Sequence, residues 1–154
     1  RQQAEFISQD EQETHYFDTS EDIRIQKNNF FSKIWWKKGK IHDDQREEVE
    51  IQLPKEDFHK LEKLFQSLGI TTSIKWFRIR HTFQWTGISV MLDDTKGYGT
   101  IIELEKMSSE DEKETALQEL KQKLAQLGLP LTPKEEFDHQ YQYYKEHWRE
   151  LINE

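Results

Sequence analysis

Alternation of apolar and polar positions, with β-branched and aromatic content, predicts seven strands: Glu13–Thr19, Ile23–Lys27, Phe30–Lys38, Gln45–Leu53, Ile74–Trp85, Ile88–Asp94 and Thr100–Lys106. The short connections favour antiparallel pairing. Three segments carry helical spacing instead. Lys55–Leu68 sets Phe58, Leu61, Leu64, Phe65 and Leu68 on one stripe and stops at Gly69. A second helix follows Ser109, which with Glu112 forms a predicted capping box, and carries Leu117, Leu120, Leu124 and Leu127 before Gly128. The third starts at Thr132-Pro133, with Glu135 in a second predicted capping box, and carries Phe137, Tyr141, Tyr144, Trp148 and Leu151. These stripes read as core. A faint internal echo links "EVEIQL", leading into the Leu68-Gly69-Ile70 stop, with "ELEKM", leading into Leu127-Gly128-Leu129.

Residues two apart on a strand share a face. Glu48 and Glu50 therefore oppose Val49 and Ile51, Arg78 and Arg80 oppose Phe77, Ile79 and His81, Asp93 opposes Leu92, and Glu103 and Glu105 oppose Ile102 and Leu104. Lys33, Trp35 and Lys37 oppose Ile34 and Trp36. An open antiparallel sheet with helices on one side and water on the other gives this alternation. A closed barrel with an apolar outside and a wet, charged inside gives it equally.

The chain has 154 residues, enough for a single domain, with equal apolar and charged shares of 34% and a 12% aromatic share that makes large rings the main buriers. No apolar run reaches membrane-span length, and the opening "RQQAEFISQDEQ" lacks the basic and apolar regions of a signal peptide, which reads as a cytoplasmic protein. The absence of Cys removes disulfide scaffolds, Cys-ligated zinc and thiol nucleophiles. A net charge of -8 argues against a general nucleic-acid binder. Yet Arg24, Lys27, Lys33, Lys37, Lys38 and Lys40 follow one another with no acid between them, and Lys75, Arg78 and Arg80 form a second basic cluster. A basic groove inside an acidic shell suits a small polyanion better than a duplex.

The Glu-x-Glu pairs and Asp93 offer the hard oxygen ligands that Mg²⁺ or Mn²⁺ prefers. Beside them Arg78/Arg80 and Lys33/Lys37 complete a site for a polyphosphate bridged by metal. Other groups carry less. His81 falls on an apolar row and reads as packed, Gly97-Tyr98-Gly99 reads as a turn, and His42-Asp43-Asp44 reads as a solvated loop ahead of a second metal site. Trp35, Trp76 and Trp85 read as barrel packing ahead of stacking on a nucleobase or thiamine ring.

"YFDT", "REEVEIQL", "KWFRIRHTF" and above all "VMLDDTKGYGTIIELEK" resemble the CYTH family of class IV adenylyl cyclases, thiamine triphosphatases and inorganic tripolyphosphatases, also called triphosphate tunnel metalloenzymes. The resemblance spans Thr14 to Leu129 and implies an α+β fold with a closed antiparallel barrel of about eight strands, one more than read above. The family's opening Glu-x-Glu-x-Lys strand has no match before Thr14. By the same resemblance Glu103 and Glu105 bind metal, Mg²⁺ or Mn²⁺, while Glu48, Glu50 and Asp93 are the accompanying catalytic carboxylates. Arg24, Lys37, Arg78 and Arg80 bind phosphate, and a second early basic position falls on Gln26 or shifts to Lys33. The implied partner is a small-molecule triphosphate, with neither nucleic acid nor membrane, and a homodimer is compatible with it. The implied function is metal-dependent triphosphate hydrolysis. A class IV cyclase, a non-catalytic polyphosphate binder and a bare interaction module stand as the alternatives.

Overall fold

The computed structural model describes residues 3–38 and 47–154. Seven antiparallel strands form one sheet: β1 (Glu5–Phe17), β2 (Asp22–Lys27), β3 (Phe31–Lys37), β4 (Glu48–Pro54), β5 (Thr72–Trp85), β6 (Ile88–Thr95) and β7 (Gly99–Glu105), in the order β4-β3-β2-β1-β5-β6-β7. Three helices accompany them, α1 (Phe58–Ser67), α2 (Lys113–Gln126) and α3 (Lys134–Ile152). The expected α+β class and antiparallel wall are therefore present. Among the described residues β4 and β7 are the sheet edges and do not pair with each other, so the wall is curled without being closed by hydrogen bonds. The His42-Asp43-Asp44 turn and Gln45 and Arg46 lie outside the described residues.

The longest departure from the sequence expectation is β1, which begins at Glu5, well before Glu13. Beyond Phe6 and Ile7 its first half is polar on both rows and carries no alternation, but β5 supplies a partner from Glu5↔Gln84 through Gln12↔Arg78, with a bulge between Phe6 and Ser8.

Rows of side chains sort into two faces. The outer face carries Phe17 of β1, Ile25 of β2 and Ile34 of β3, onto which α1 folds Phe58, Leu61 and Phe65. Phe17 stacks on Phe65 with centroids 4.0 Å apart. Leu64 and Leu68, expected in the same stripe, remain exposed. α2 lies beside β7, tied by the Lys106–Glu119 ion pair and by Lys123 over the Trp85 ring. It buries Ala116, whereas the expected core residues Leu117 and Leu127 stay exposed.

α3 packs beside the first half of β5, where Thr72–Phe77 pairs with β1 and β6 has already ended. Tyr144, Trp148 and Ile152 bury themselves there against Ile74 and Trp76, with Tyr16, Tyr98 and Ile101 around them. The predicted capping boxes do not form. Ser109 Oγ donates to the Glu112 carboxylate at 3.1 Å, and α3 is capped at Pro133 without a side-chain hydrogen bond. The echo is physical: Ile70 N–H donates to the Phe65 carbonyl at 3.0 Å and Leu129 N–H to the Leu124 carbonyl at 3.3 Å, each past a left-handed glycine.

The β6–β7 turn meets α3 so closely that a Cβ on Gly97 would lie 2.7 Å from Leu151 Cβ and 2.9 Å from its carbonyl oxygen, at a φ of +75°. Gly97→Ala is therefore expected to cost about 2–3 kcal/mol, from overpacking added to backbone strain. Gly128→Ala, with similar φ but nothing within 4 Å, is expected to cost about 1 kcal/mol. Denaturant titration of both variants checks the difference.

Candidate functional site

Cross-strand register places all the predicted residues on one face. Tyr16 opposes Arg24, which opposes Trp35, which opposes Glu50; Lys33 lies across from Gln26, and Lys37 from Glu48. On the other half Gln12 opposes Arg78, Asp10 opposes Arg80, Arg80 opposes Asp93, and Met91 and Ser89 oppose Glu103 and Glu105. This inner face, opposite α1, buries Thr14, Arg24, Gln26, Asp93 and Thr95. A flat sheet with water on that side would leave such polar groups exposed; the curl of the wall, together with α3 packed on Tyr16, Ile74 and Trp76 of this same face, covers them.

One acid–base group spans β5, β6 and β7. Asp93, fully buried, accepts from Arg80 Nε at 2.7 Å and Nη2 at 2.6 Å and from Arg78 Nη1 at 2.9 Å. Arg80 Nη2 also donates to Glu103 at 3.0 Å, and Arg78 Nε to Gln12 at 2.7 Å. Burial works against the charge of both arginines. For Arg80 the hydrogen bond and charge of Asp93 and Glu103 prevail and raise its pKa, while for Arg78 burial and the adjacent Arg80 lower it. Both oxygens of Asp93 are engaged by guanidinium groups, which makes it the holder of the arginine pair. Glu103 reaches Arg80, and Glu105 is exposed with no ion pair among the described residues.

A second group spans β2, β3 and β4. Arg24 is gripped by Asp22 through two hydrogen bonds of 2.7 and 2.6 Å and lies 4.4 Å over the Tyr16 ring. Lys33 pairs with Glu50 at 2.8 Å and Lys37 with Glu48 at 3.3 Å. Burial opposes ionisation of Glu50, but the hydrogen bond and charge of Lys33 outweigh it and lower its pKa. Trp35 stands among the cations, with Lys33 Nζ 4.4 Å, Arg24 Cζ 5.7 Å and Lys37 Nζ 5.8 Å from its ring centroid. β1 lies between the two groups in strand order. Sequence reasoning missed Asp22 and Gln12. Asp22 stands two before Arg24 and thus on its face, a signal available in the sequence.

The outer face carries a separate cluster. Buried His15 approaches Glu13 through Nε2 at 2.8 Å and Glu62 through Nδ1 at 3.4 Å, and Lys27 pairs with Glu13 at 2.7 Å. Donor atoms of Glu13, His15 and Glu62 lie within 4.8 Å of one another, a set that could hold a metal ion. The two carboxylates sit at different ring nitrogens, which suits a hydrogen-bonded ion cluster tying α1 to the wall. An open groove of about 630 Å³ beside it is lined by Phe77 and Ile79 with Lys27, Lys55 and Lys96 around them, and also by Gln12 and Arg78 of the β5–β7 group.

Burial would raise the Glu13 carboxyl, but hydrogen bonds from His15 and Lys27 outweigh it and hold it at about 2. A depressed folded pKa means stability present above the unfolded value of 4.5 and lost as pH falls from there toward about 2. The loss is expected to be on the order of 2–3 kcal/mol. Denaturant titrations across that window, with Glu13→Gln losing this share of the pH dependence, check it.

A sequence model of the CYTH domain matches residues 2–136. The chain belongs to the CYTH family. CYTH proteins include triphosphatases and class IV adenylate cyclases, metal-dependent enzymes that act on small-molecule triphosphates. A Methanocaldococcus jannaschii protein named "Putative adenylate cyclase" is 31% identical over 135 residues, which is 80% of this chain and 76% of that protein. Among solved structures, a Pyrococcus horikoshii protein is 26% identical with a TM-score of 0.69, covering 82% of this chain and 80% of that one. A Pyrococcus furiosus protein, 24% identical with a TM-score of 0.69 over 82% of this chain and 78% of its own, shares the CYTH fold. Within this CYTH chain no helix among the described residues is long and apolar enough to cross a membrane.

Proposed function

We propose that this CYTH protein hydrolyses a small-molecule triphosphate on the inner face of the curled sheet. One observation carries the reading: Arg24, Lys33, Lys37, Arg78 and Arg80 are each ion-paired to a carboxylate on that face. A polyphosphate offers the cations closely spaced anionic oxygens. A hard divalent cation offers the carboxylates a replacement partner.

The all-carboxylate donor set fits Mg²⁺ or Mn²⁺, for among the described residues Glu105 has no ion pair and is exposed, and Glu103 is engaged by Arg80 alone. Glu103 and Glu105, with Glu48 or Glu50, would hold the ion. When bound, it supplies neutralisation of phosphate charge and polarisation of the phosphoryl group. The chain's own residues do the rest. Arg78 and Arg80, fixed by Asp93, bind oxygens around the reacting phosphorus and stabilise its charge in the transition state. Arg24, Lys33 and Lys37 hold the remaining phosphates and so set the chain in line. Water forms a new P–O bond at the terminal phosphorus and gives up a proton to solvent while the bridging P–O bond breaks, and the electron pair of the broken bond leaves with the diphosphate.

The name of the Methanocaldococcus relative favours a second reading, a class IV adenylate cyclase. There the ribose 3′-oxygen forms the new bond at the α-phosphorus of ATP and pyrophosphate leaves. Incubation with Mg²⁺ or Mn²⁺ and tripolyphosphate, ATP or thiamine triphosphate separates them. Phosphate release supports hydrolysis, and cyclic AMP with pyrophosphate supports cyclisation. Neither product from any substrate overturns both.

A further inference from the structure

Among the described residues, two buried side-chain polar atoms have no hydrogen-bond partner, Trp35 Nε1 and Thr95 Oγ1. Both belong to the inner face, on opposite halves of the sheet. Trp35 is only 5% exposed. A buried donor left unpaired is unfavourable, and an indole N–H can only donate, so the group it lacks is an acceptor. Its surroundings fix the charge of that acceptor. Lys33, Arg24 and Lys37 all stand within cation–π range of the ring. Each is paired to a carboxylate, Glu50, Asp22 and Glu48, so once a divalent cation takes up carboxylates of this face the acceptor these cations call for is an anion. The same cations occupy the approach to the ring, which argues against stacking on a nucleobase or thiamine ring.

We infer that Trp35 is a ligand-binding residue whose indole N–H donates to a phosphate oxygen of the bound triphosphate while its ring positions Lys33, Arg24 and Lys37 around that same phosphate. The inference rests on the triphosphate reading of the inner face. It also makes a distinction that reading lacks: recognition by Trp35 is of the phosphate chain and is indifferent to what the chain carries.

The test uses the full chain, ¹⁵N-labelled, with Mg²⁺ and either tripolyphosphate or ATP as probe. The Trp35 indole resonance, assigned by its loss in Trp35→Phe, is expected to move downfield on titration further than the other indole signals. Calorimetry is expected to show Trp35→Phe binding both probes about tenfold more weakly, the scale of one hydrogen bond to a charged acceptor. Should Trp35→Phe fail to fold, the wild-type resonance is assigned instead by triple-resonance experiments on ¹³C,¹⁵N-labelled protein and decides alone. An unmoved resonance in a protein that does bind tripolyphosphate overturns the inference and leaves the triphosphate reading standing. A loss for ATP much larger than for tripolyphosphate overturns it in favour of base stacking. No binding of either probe by the wild type overturns both readings.

Discussion

Exchanging Glu103 and Glu105 together for glutamine is expected to lower product formation roughly a thousandfold, the loss of several kcal/mol of transition-state stabilisation. Glutamine keeps the size of each side chain and removes the charge that draws a divalent cation. The fold has little at stake. Both residues are exposed on the edge strand β7, and their one ion pair among the described residues, Glu103 with Arg80, is partly solvated. Such a pair contributes at most about 1 kcal/mol. Phosphate and cyclic AMP assays at saturating Mg²⁺, beside a thermal melt of the same preparation, therefore separate chemistry from folding. A double variant that melts like the wild type and turns over at its rate would remove these glutamates from the reaction.

Asp93→Asn carries the larger structural penalty. Asp93 is fully buried and is the common acceptor of Arg78 and Arg80, whose side chains are themselves less than a fifth exposed. Asparagine has one acceptor oxygen in place of two and turns an NH₂ toward a guanidinium, leaving adjacent cations without their counter-charge. Breaking a buried pair in this way costs about 3–5 kcal/mol. The exposed pair of Lys38 with Glu47 at 3.8 Å is the contrast, and Glu47→Gln is expected to cost less than about 0.5 kcal/mol. Urea titrations of both variants check the ranking. Equal stability for the two would mean that Asp93 does not bear the arginine pair.

The strand pattern and the alternating charged rows were legible because period-two alternation is a direct consequence of pleating. Arg78 and Arg80 read as one row opposite Phe77, Ile79 and His81, and that row is where they lie. Three features were not legible, each for a physical reason. The polar first half of β1 has no apolar row, so its identity as a strand, and with it Gln12 beneath Arg78, comes from pairing with distant β5. Alternation is the same for a flat sheet and a curled one; burial of Thr14, Gln26 and Asp93 makes the distinction, and burial is a tertiary property. The capping box at Ser109 failed because its hydroxyl donates to the Glu112 carboxylate where the box needs it to accept from a backbone N–H, two roles within similar reach. Resemblance to the CYTH family added the common purpose of acids and bases that the alternation alone left open.

The cations of the inner face come already matched to carboxylates, and this has a thermodynamic consequence. An anion arriving alone must pull Arg80, Lys33 and Lys37 from Glu103, Glu50 and Glu48, stranding negative charge beside itself. A divalent cation arriving alone strands positive charge in the same way. Each ligand removes the penalty the other faces, so their affinities are reciprocally linked, and each must strengthen the other by an equal factor. On the proposed reading the lining is therefore expected to act as an electroneutral exchanger, accepting a cation–polyanion salt more readily than either of its components.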